Sequence, residues 1–354
     1  MTTRISGTHA RRSARVSCAG FRRSDWGRAI NAHLQTAVPA KLDSGRASSR
    51  AASWFGWAVL IYMLGVILWG AYVRASGSGA GCGNHWPLCN GEVIPASPTA
   101  QRLIEFTHRL TSGVALISVL ALLYVTWRAT ARRSWARIAA IASVVLMLNE
   151  ALLGALLVLL QHVGNDQSAS RAVFLSLHLT NTLLLLGAIT LTAAWLMDPP
   201  TRGDFAGKKA TGIAVLLLAL ILVGVSGALA ALGDTLFPAT SLSGSMRSDF
   251  ATTSHFLLRL RMLHPAIAII GAAYVIWIFA RWVTSSSGVV RRLALGLIVL
   301  VCLQLCLGAM NVVLLAPIWL QMAHLLVGDL VWIFLVLVSD QALRMQPERL
   351  RRAA

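Results

Sequence analysis

Eight apolar runs alternate with short polar connections along the chain. A helix needs about 20 mainly apolar residues to cross the roughly 30 Å hydrocarbon core of a bilayer. Runs of this length occupy residues 54–73, 103–127, 138–160, 172–196, 212–233, 253–281, 293–315 and 318–340. We number them spans 1 to 8, and the pattern predicts an all-α integral membrane protein with eight transmembrane helices.

Composition supports this prediction and separates the first fifty residues from the rest. Of 354 residues, 56% are hydrophobic and 12% are charged, and the mean hydropathy is +0.69. A soluble domain of this length cannot bury so much apolar surface, so the bilayer must be part of its solvent. Residues 1–50 lack a long apolar run and are rich in arginine, so we expect a disordered basic extension there. An organellar transit peptide is the alternative interpretation.

Basic residues lie between the apolar runs and predict the orientation of the chain. The formal net charge is +18, from 31 Lys and Arg against 13 Asp and Glu. In a soluble protein this charge would suggest nucleic acid, but here the positive-inside rule accounts for it. The basic residues that follow the even-numbered spans are Arg128, Arg132, Arg133, Arg137, Arg202, Lys208, Lys209, Arg281, Arg291, Arg292, Arg344, Arg349, Arg351 and Arg352. We therefore expect cytoplasmic termini and no nucleic-acid partner.

A faint internal repeat divides the membrane region. Leu153-Gly154-Ala155 in span 3 recurs as Leu307-Gly308-Ala309 in span 7, each one span before a membrane histidine. Two four-helix halves repeated in parallel would give this pattern. The prediction is two pseudo-repeated four-helix bundles, at residues 51–200 and 201–343, followed by a basic cytoplasmic tail at 344–354.

One histidine lies near the outer end of each even-numbered span. The four are His108, His178, His264 and His324. At a rise of about 1.5 Å per residue, their imidazoles fall in nearly the same layer of the bilayer, although span 6 is overlong and leaves the depth of His264 open. A single membrane histidine is as often a polar group bonded to a neighbouring helix. Four at one depth favour metal ligation, and two imidazoles facing each other in a four-helix bundle typically hold haem.

Glu105 precedes His108 by three residues and shares its face of span 2. It is the only carboxylate that we expect in the histidine layer, which favours haem over zinc or copper. The helix macrodipole would stabilise an acid in the first turn, but it does not explain why the carboxylate faces the bundle. We predict that Glu105 serves proton transfer or stabilises a developing cation.

Arginines at the outer ends of the spans are candidates for binding haem propionates, although each could equally extend to the membrane surface. The candidates are Arg74, Arg109, Arg259 and Arg261. Three further histidines lie in loops or at helix edges and are not expected to be ligands: His85, His162 and His255.

Cys82 and Cys89 lie in the first outer loop and enclose six residues. In an oxidising outer compartment, a disulfide between them is the default expectation. Such a bond would either pin the loop over the mouth of the bundle or exchange electrons with the site. Both roles stay open.

Three stretches of the first half resemble the haem A synthase family. They are Val73-Arg74-Ala75-Ser76-Gly77-Ser78-Gly79, then Cys82 with Trp86-Pro87-Leu88-Cys89-Asn90-Gly91, then Ile104-Glu105-Phe106-Thr107-His108-Arg109-Leu110. The resemblance extends over residues 54–340, and the second half matches mainly through its histidines.

This resemblance implies a reaction and a different role for each half. The family oxidises the C8 methyl of haem O to the formyl of haem A by successive hydroxylations, for use in cytochrome oxidase. The resemblance implies that His108 and His178 bind the substrate haem, with Glu105 as the catalytic carboxylate, and that His264 and His324 bind a haem b.

The resemblance also implies partners and a location. Besides haem O and membrane lipid, the expected partners are a haem O synthase, cytochrome oxidase assembly factors and a second copy of the chain. The cysteine pair is typical of bacterial members, so we expect the bacterial inner membrane, with the mitochondrial inner membrane as the alternative.

Two other functions fit four membrane histidines. The chain could be a non-enzymatic cytochrome that carries electrons between two b-type haems, or a haem-delivery protein that binds haem weakly. Arg261 stands three residues before His264, where Glu105 stands before His108. Because an electron carrier would not need a carboxylate in one half only, we favour the enzyme.

Overall fold

The chain is helical, with no β-strand, throughout the part that a computed structural model describes, residues 23–96, 99–201 and 208–344. It forms two compact units, Met1–Ala47 and Ser48–Ala354, and the membrane region is the second. The α-helices are α1 (Arg23–Ala75), α2 (Ala100–Ala129), α3 (Trp135–Leu159), α4 (Ala169–Met197), α5 (Lys208–Leu236), α6 (Leu242–Phe250), α7 (Phe256–Ser285), α8 (Gly288–Val313) and α9 (Ile318–Arg344).

Eight of the described helical segments are long and apolar enough to cross a membrane, as the hydropathy pattern predicts. They are Ser48–Ala75 of α1, Ala210–Leu236 of α5, and the whole of α2, α3, α4, α7, α8 and α9. Many of their large apolar side chains point outward, including Ile61, Ile117 and Ile270, which are 70%, 67% and 71% exposed. Such a surface requires lipid around it.

Two details of the prediction differ from the structure. Helix α1 begins at Arg23, within the segment 1–50 that the sequence predicts to be disordered. Span 6 is displaced toward the C-terminus, because α7 begins at Phe256 and ends at Ser285 whereas the predicted span was 253–281; the separate helix α6 precedes it. Residues 1–22 and 345–354 lie outside the described part, so the expectations for the first residues and for the basic tail stay predictions.

Polar side chains at the N-cap positions fix where several spans begin. Thr99 accepts a hydrogen bond from the backbone N–H of Arg102 at 3.3 Å, and Ser168 accepts one from Arg171 at 3.2 Å. His255 does the same for α7, because its Nδ1 accepts from the N–H of Leu257 at 3.4 Å. Each cap satisfies a backbone donor that the first helical turn leaves unpaired.

Sequential helices pack side by side within each half. Helix α2 packs on α3 and α3 on α4, whereas α5 packs on α7, α7 on α8 and α8 on α9. The halves meet where α4 contacts α5 and α9 and where α5 contacts α9. The indole of Trp332 in α9 donates to the carbonyl of Leu183 in α4 at 2.6 Å across this interface. This arrangement is compatible with a parallel repeat; the repeat and the orientation in the membrane stay predictions.

Candidate functional site

A large cavity opens at the cysteine-loop end, by which we mean the end of the bundle that carries Cys82 and Cys89. Its volume is about 1980 Å³, about twice the upper end of the roughly 300–1,000 Å³ that is usual for small-molecule pockets. Helices of both halves line it, mostly with apolar side chains, and all four span histidines contribute to its wall: His108, His178, His264 and His324.

The four histidines form two pairs. His108 of α2 and His178 of α4 are close enough to interact electrostatically, and so are His264 of α7 and His324 of α9. Both His108 and His264 lie eight residues after the first residue of their helix. His264 therefore lies as far from the start of its helix as His108 does, a position that the prediction of span 6 left open.

Each imidazole lies against a glycine of the preceding odd-numbered span. A Cβ built on Gly70 would lie 2.8 Å from Cε1 of His108, and one on Gly227 would lie 3.0 Å from Cε1 of His264. The remaining two contacts are Gly154 with His178 at 3.8 Å and Gly308 with His324 at 3.2 Å. Sequence analysis missed this regular contact, although the Leu-Gly-Ala repeat contains two of the four glycines.

The ring nitrogens are consistent with ligands of a bound group. Nδ1 of His264 shares a hydrogen bond of 2.9 Å with the hydroxyl of Ser226. The buried Nδ1 atoms of His108, His178 and His324 have no hydrogen-bond partner, which is unusual for buried polar atoms. Within the described ranges, no three His, Cys, Asp or Glu side chains form a metal cluster. Paired imidazoles in an apolar cavity fit haem better than a zinc site of three or four ligands.

Glu105 lies on the cavity wall and holds the cysteine loop on α2. One carboxylate oxygen accepts a hydrogen bond of 2.8 Å from the backbone N–H of Cys82, and the other pairs with Arg109 at 2.5 Å. Arg109 also donates to the carbonyl oxygens of His85 and Leu88, both at 2.7 Å. The two side chains therefore join α2 to both ends of the disulfide-closed segment.

The predicted disulfide between Cys82 and Cys89 is present. The loop that it closes brings Trp86, Pro87 and Leu88 to the cavity wall. In the described part of the chain, the other two cysteines, Cys302 and Cys306, carry free thiols and are exposed on α8. The cysteine loop thus covers part of the cavity mouth.

Arg74 and Arg261 are engaged with protein groups in the structure. Arg74 is partly buried and donates to the carbonyl of Ala231 at 2.8 Å, to Thr235 at 2.7 Å and to Gln321 at 3.2 Å. It therefore joins α1 to α5 and α9. Arg261 pairs with Asp234 at 3.0 Å and with Asp249. All of the predicted propionate-binding roles, including that of Arg109, stay predictions.

Comparison with known protein families decides which family this architecture represents. A family model described as cytochrome oxidase assembly protein matches residues 53–336, which include all eight spans except the ends of the first and last. The chain belongs to this family.

Relatives of this chain carry two kinds of name. A Thermus thermophilus protein named protoheme IX farnesyltransferase is 46% identical over 301 residues, which are 83% of this chain and 49% of that protein. A heme A synthase of Lysinibacillus sphaericus is 34% identical over 165 residues, 46% of this chain and 51% of the relative. A heme A synthase of Listeria monocytogenes is 27% identical over 308 residues, 83% and 97% of the two chains. The chain spans about half the length of the first two relatives.

One carboxylate beside the histidines was missed, and the expectation that Glu105 is alone in the histidine layer is wrong. Glu150 of α3 also lines the cavity, and its Oε1 lies 3.6 Å from Nδ1 of His178. Helix α3 runs toward the cysteine-loop end, so the depth of Glu150 has to be counted back from Leu159. Its position four residues before Gly154, on the same helix face, is the signal that could have found it.

Proposed function

We propose that this chain is a haem A synthase, which oxidises the C8 methyl of haem O to the formyl group of haem A. The observation that carries the proposal is the pairwise placement of four histidines in one membrane cavity, with Glu105 before the first and Arg261 at the same spacing before the third. The heme A synthase names of the Lysinibacillus and Listeria relatives support it.

The two histidine pairs have different roles in this proposal. His108 and His178 bind the iron of haem O, the substrate, and His264 and His324 bind a haem b. When bound, haem b supplies one-electron transfer to and from the substrate half. The cavity of about 1980 Å³ gives both groups space, because it is continuous between the halves.

Glu105 is the proposed catalytic carboxylate. Its neighbours hold it in place, since Cys82 donates to Oε2 and Arg109 pairs with Oε1. When a C–H bond of the methyl group is oxidised, the Glu105 carboxylate on the cavity wall would accept the proton at Oε2 as a general base, and the electrons would leave through the haem b of the second half. Its counterpart position in the second half is filled by Arg261, which is consistent with a haem b site that does no proton chemistry.

The test is haem analysis after co-expression with a haem O synthase. We expect haem A in extracts of cells carrying the wild-type chain. Glu105→Gln keeps the acceptor for the N–H of Cys82 but removes the base, so haem should stay bound while conversion falls by roughly 10²–10⁴-fold. Glu92→Gln, an exposed carboxylate of the same loop, is the matched control and should convert normally.

Two outcomes would contradict the proposal at different points. Full conversion by Glu105→Gln would remove the assigned role of that residue. A folded wild-type chain that binds two haems but forms neither hydroxylated haem nor haem A would instead be a non-enzymatic cytochrome, and weakly held, exchangeable haem would indicate a delivery protein.

The proposed partners follow from the substrate. Because haem O is made by farnesyl transfer to protohaem, a haem O synthase has to supply it. The Thermus relative named protoheme IX farnesyltransferase is consistent with such a link, because this chain matches about half of its length. We place the protein in the bacterial inner membrane, near cytochrome oxidase assembly factors, as the cysteine pair of the loop suggests.

A further inference from the structure

Glu150 is held in one position by side chains of the neighbouring helix α4. Asn181 donates to its Oε2 at 2.6 Å, and the hydroxyl of Thr182 donates to its Oε1. Asn181 is itself fixed, because its amide also donates to the carbonyl of Leu146 at 2.9 Å and accepts from Asn149 at 2.8 Å. A carboxylate so deep in a membrane protein is costly without partners; here two side chains bind it, and one of them is itself fixed by two further hydrogen bonds.

The same carboxylate faces an imidazole nitrogen that lacks a partner. Oε1 of Glu150 lies 3.6 Å from Nδ1 of His178, just beyond hydrogen-bond distance, and Nδ1 is buried with no other acceptor in reach. A histidine that binds a metal through Nε2 almost always donates its Nδ1–H to a carboxylate, a carbonyl or water. A shift of a few tenths of an ångström would close this contact.

The second half offers a natural comparison. Gln304 stands four residues before Gly308, as Glu150 stands four residues before Gly154. Its amide Nε2 lies 3.3 Å from Nε2 of His324. The two contacts differ in kind. The Glu150 carboxylate can accept a hydrogen bond from Nδ1 of His178, whereas the Gln304 amide group is a donor and faces the other ring nitrogen of His324. Nδ1 of His324 has no hydrogen-bond partner, so the second half offers this histidine no anionic acceptor that would strengthen its electron donation to a metal.

We propose that Glu150 is a positioning residue that accepts a hydrogen bond from Nδ1 of His178 when Nε2 of this histidine binds haem O. This inference rests on the proposed function, since it needs haem in the first half. The bond fixes the ring orientation and makes His178 the more basic ligand, which favours the oxidised iron of the substrate haem. The haem between His264 and His324 lacks such a carboxylate and keeps the higher reduction potential of the two.

The test is a redox titration of purified protein with both haems bound. The centre of the first half is identified as the one whose low-spin spectrum disappears in His178→Ala. Glu150→Gln, which copies the side chain of Gln304, should raise the potential of that centre by about 59 mV, equivalent to a tenfold change in the ratio of the oxidised to the reduced form. Glu150→Asp, which retains a carboxylate, should restore part of the difference.

A control variant separates positioning from packing. Thr190→Val removes a buried hydroxyl of the same helix α4, which donates to the carbonyl of Leu186, so it should leave the potential of the first centre near the wild-type value. An unchanged first centre in fully loaded Glu150→Gln overturns the proposal, and so does an equal shift of that centre in Thr190→Val.

A measurement on wild type covers the case in which Glu150→Gln does not fold. Electron paramagnetic resonance of the oxidised protein reports the ligand field of each iron, and the first centre should show the stronger imidazole donation. Identical ligand fields at the two centres would overturn the role of Glu150. Wild type that binds no haem in the first half would instead overturn the proposed function.

Discussion

Two of the four glycines beside the histidines, Gly70 and Gly227, limit how close an imidazole can lie to the neighbouring helix. Gly70 leaves room for His108 and Gly227 for His264, and in both positions a Cβ would come within 3.0 Å of the ring. Real Cβ atoms do not approach a ring atom so closely, so any larger residue has to push the imidazole away. The orientation of His108 and His264 therefore depends on the absence of a side chain at Gly70 and Gly227, as well as on the side chains around each ring.

Gly70→Ala should disturb the first haem centre only. The added methyl group has to displace His108, and overpacking of this kind costs about 1–3 kcal/mol. We expect loss or weakening of one low-spin haem signal in the purified protein, with the second unchanged. Gly65→Ala on the same helix is the control, because nothing lies within 4 Å of its built Cβ. Two intact haem signals in Gly70→Ala would show that the glycine is not needed.

Residue types alone could not predict all of these contacts. The histidines and Glu105 were found because they share a depth and a helix face along the sequence. Glu150 and the glycines were missed because their partners lie on another helix, so only the packing of α3 on α4, and of α1 beside α2, reveals the contact. The repeated Leu-Gly-Ala stretch contains two of the four glycines, Gly154 and Gly308.

At the scale of the structural elements, the cysteine loop is held in place by helix α2. Its disulfide closes a short segment, and Glu105 and Arg109 attach this segment to α2 through a pair whose side chains are 4% and 13% exposed. A candidate catalytic carboxylate thus also has a structural task. The position of the cysteine loop over the cavity is therefore coupled to the position of Glu105, the proposed base.

Arg109→Leu should release the loop. It leaves the buried carboxylate of Glu105 without its cation and removes two donors to loop carbonyls, a change that typically costs about 3–5 kcal/mol. Limited proteolysis should cut the loop faster than in wild type. The exposed Arg247→Leu is the control for loss of a positive charge and should leave the cleavage rate unchanged. Equal cleavage rates in all three proteins would argue against the clamp.

The connection between α3 and α4 is predicted to be sensitive to acid. Partial burial would raise the pKa of Asp166, but hydrogen bonds from the N–H and hydroxyl of Ser168 and from His162 outweigh it and lower the pKa below the usual 3.8. The ionised form therefore stabilises the connection above pH 3.8, and this contribution is lost as the pH falls through the lowered pKa.

Hydrogen exchange over residues 160–168 measures this effect. After correction for intrinsic rates, exchange should increase below about pH 4 in wild type. Asp166→Asn should exchange faster already at neutral pH and show little further change. A wild-type connection that stays equally protected down to pH 2 would contradict the assignment.

Most elements could be predicted because hydropathy determines membrane spans directly. The observed spans agree with the apolar runs to within a few residues at most ends. Helix α6 was not predicted, since its nine residues include three serines and Arg247 and do not form an apolar run. His255 caps α7, which therefore begins at Phe256, a few residues after the predicted start of span 6 at residue 253.

At the scale of the whole molecule, the halves form one packed body around a shared cavity. Arg74 joins α1 to α5 and α9 near the cavity. Toward the C-terminal end of α9, Asp340 accepts a hydrogen bond of 2.8 Å from the indole of Trp195 in α4. These bonds join the helices that carry the two histidine pairs. Such a body suits the proposed electron exchange between a haem in each half, and a loosely joined pair of domains would not.

Haem content and spin state of the four single histidine variants and their double variants provide the most direct test. Substituting His108, His178 or both by alanine should remove the low-spin signal of one haem, and substituting His264, His324 or both should remove that of the other. A variant that combines one residue from each pair, such as His108→Ala with His324→Ala, should lose both. If a folded single variant loses both signals, or if the double variant of His108 and His178 loses both, the imidazoles do not act as the two pairs described.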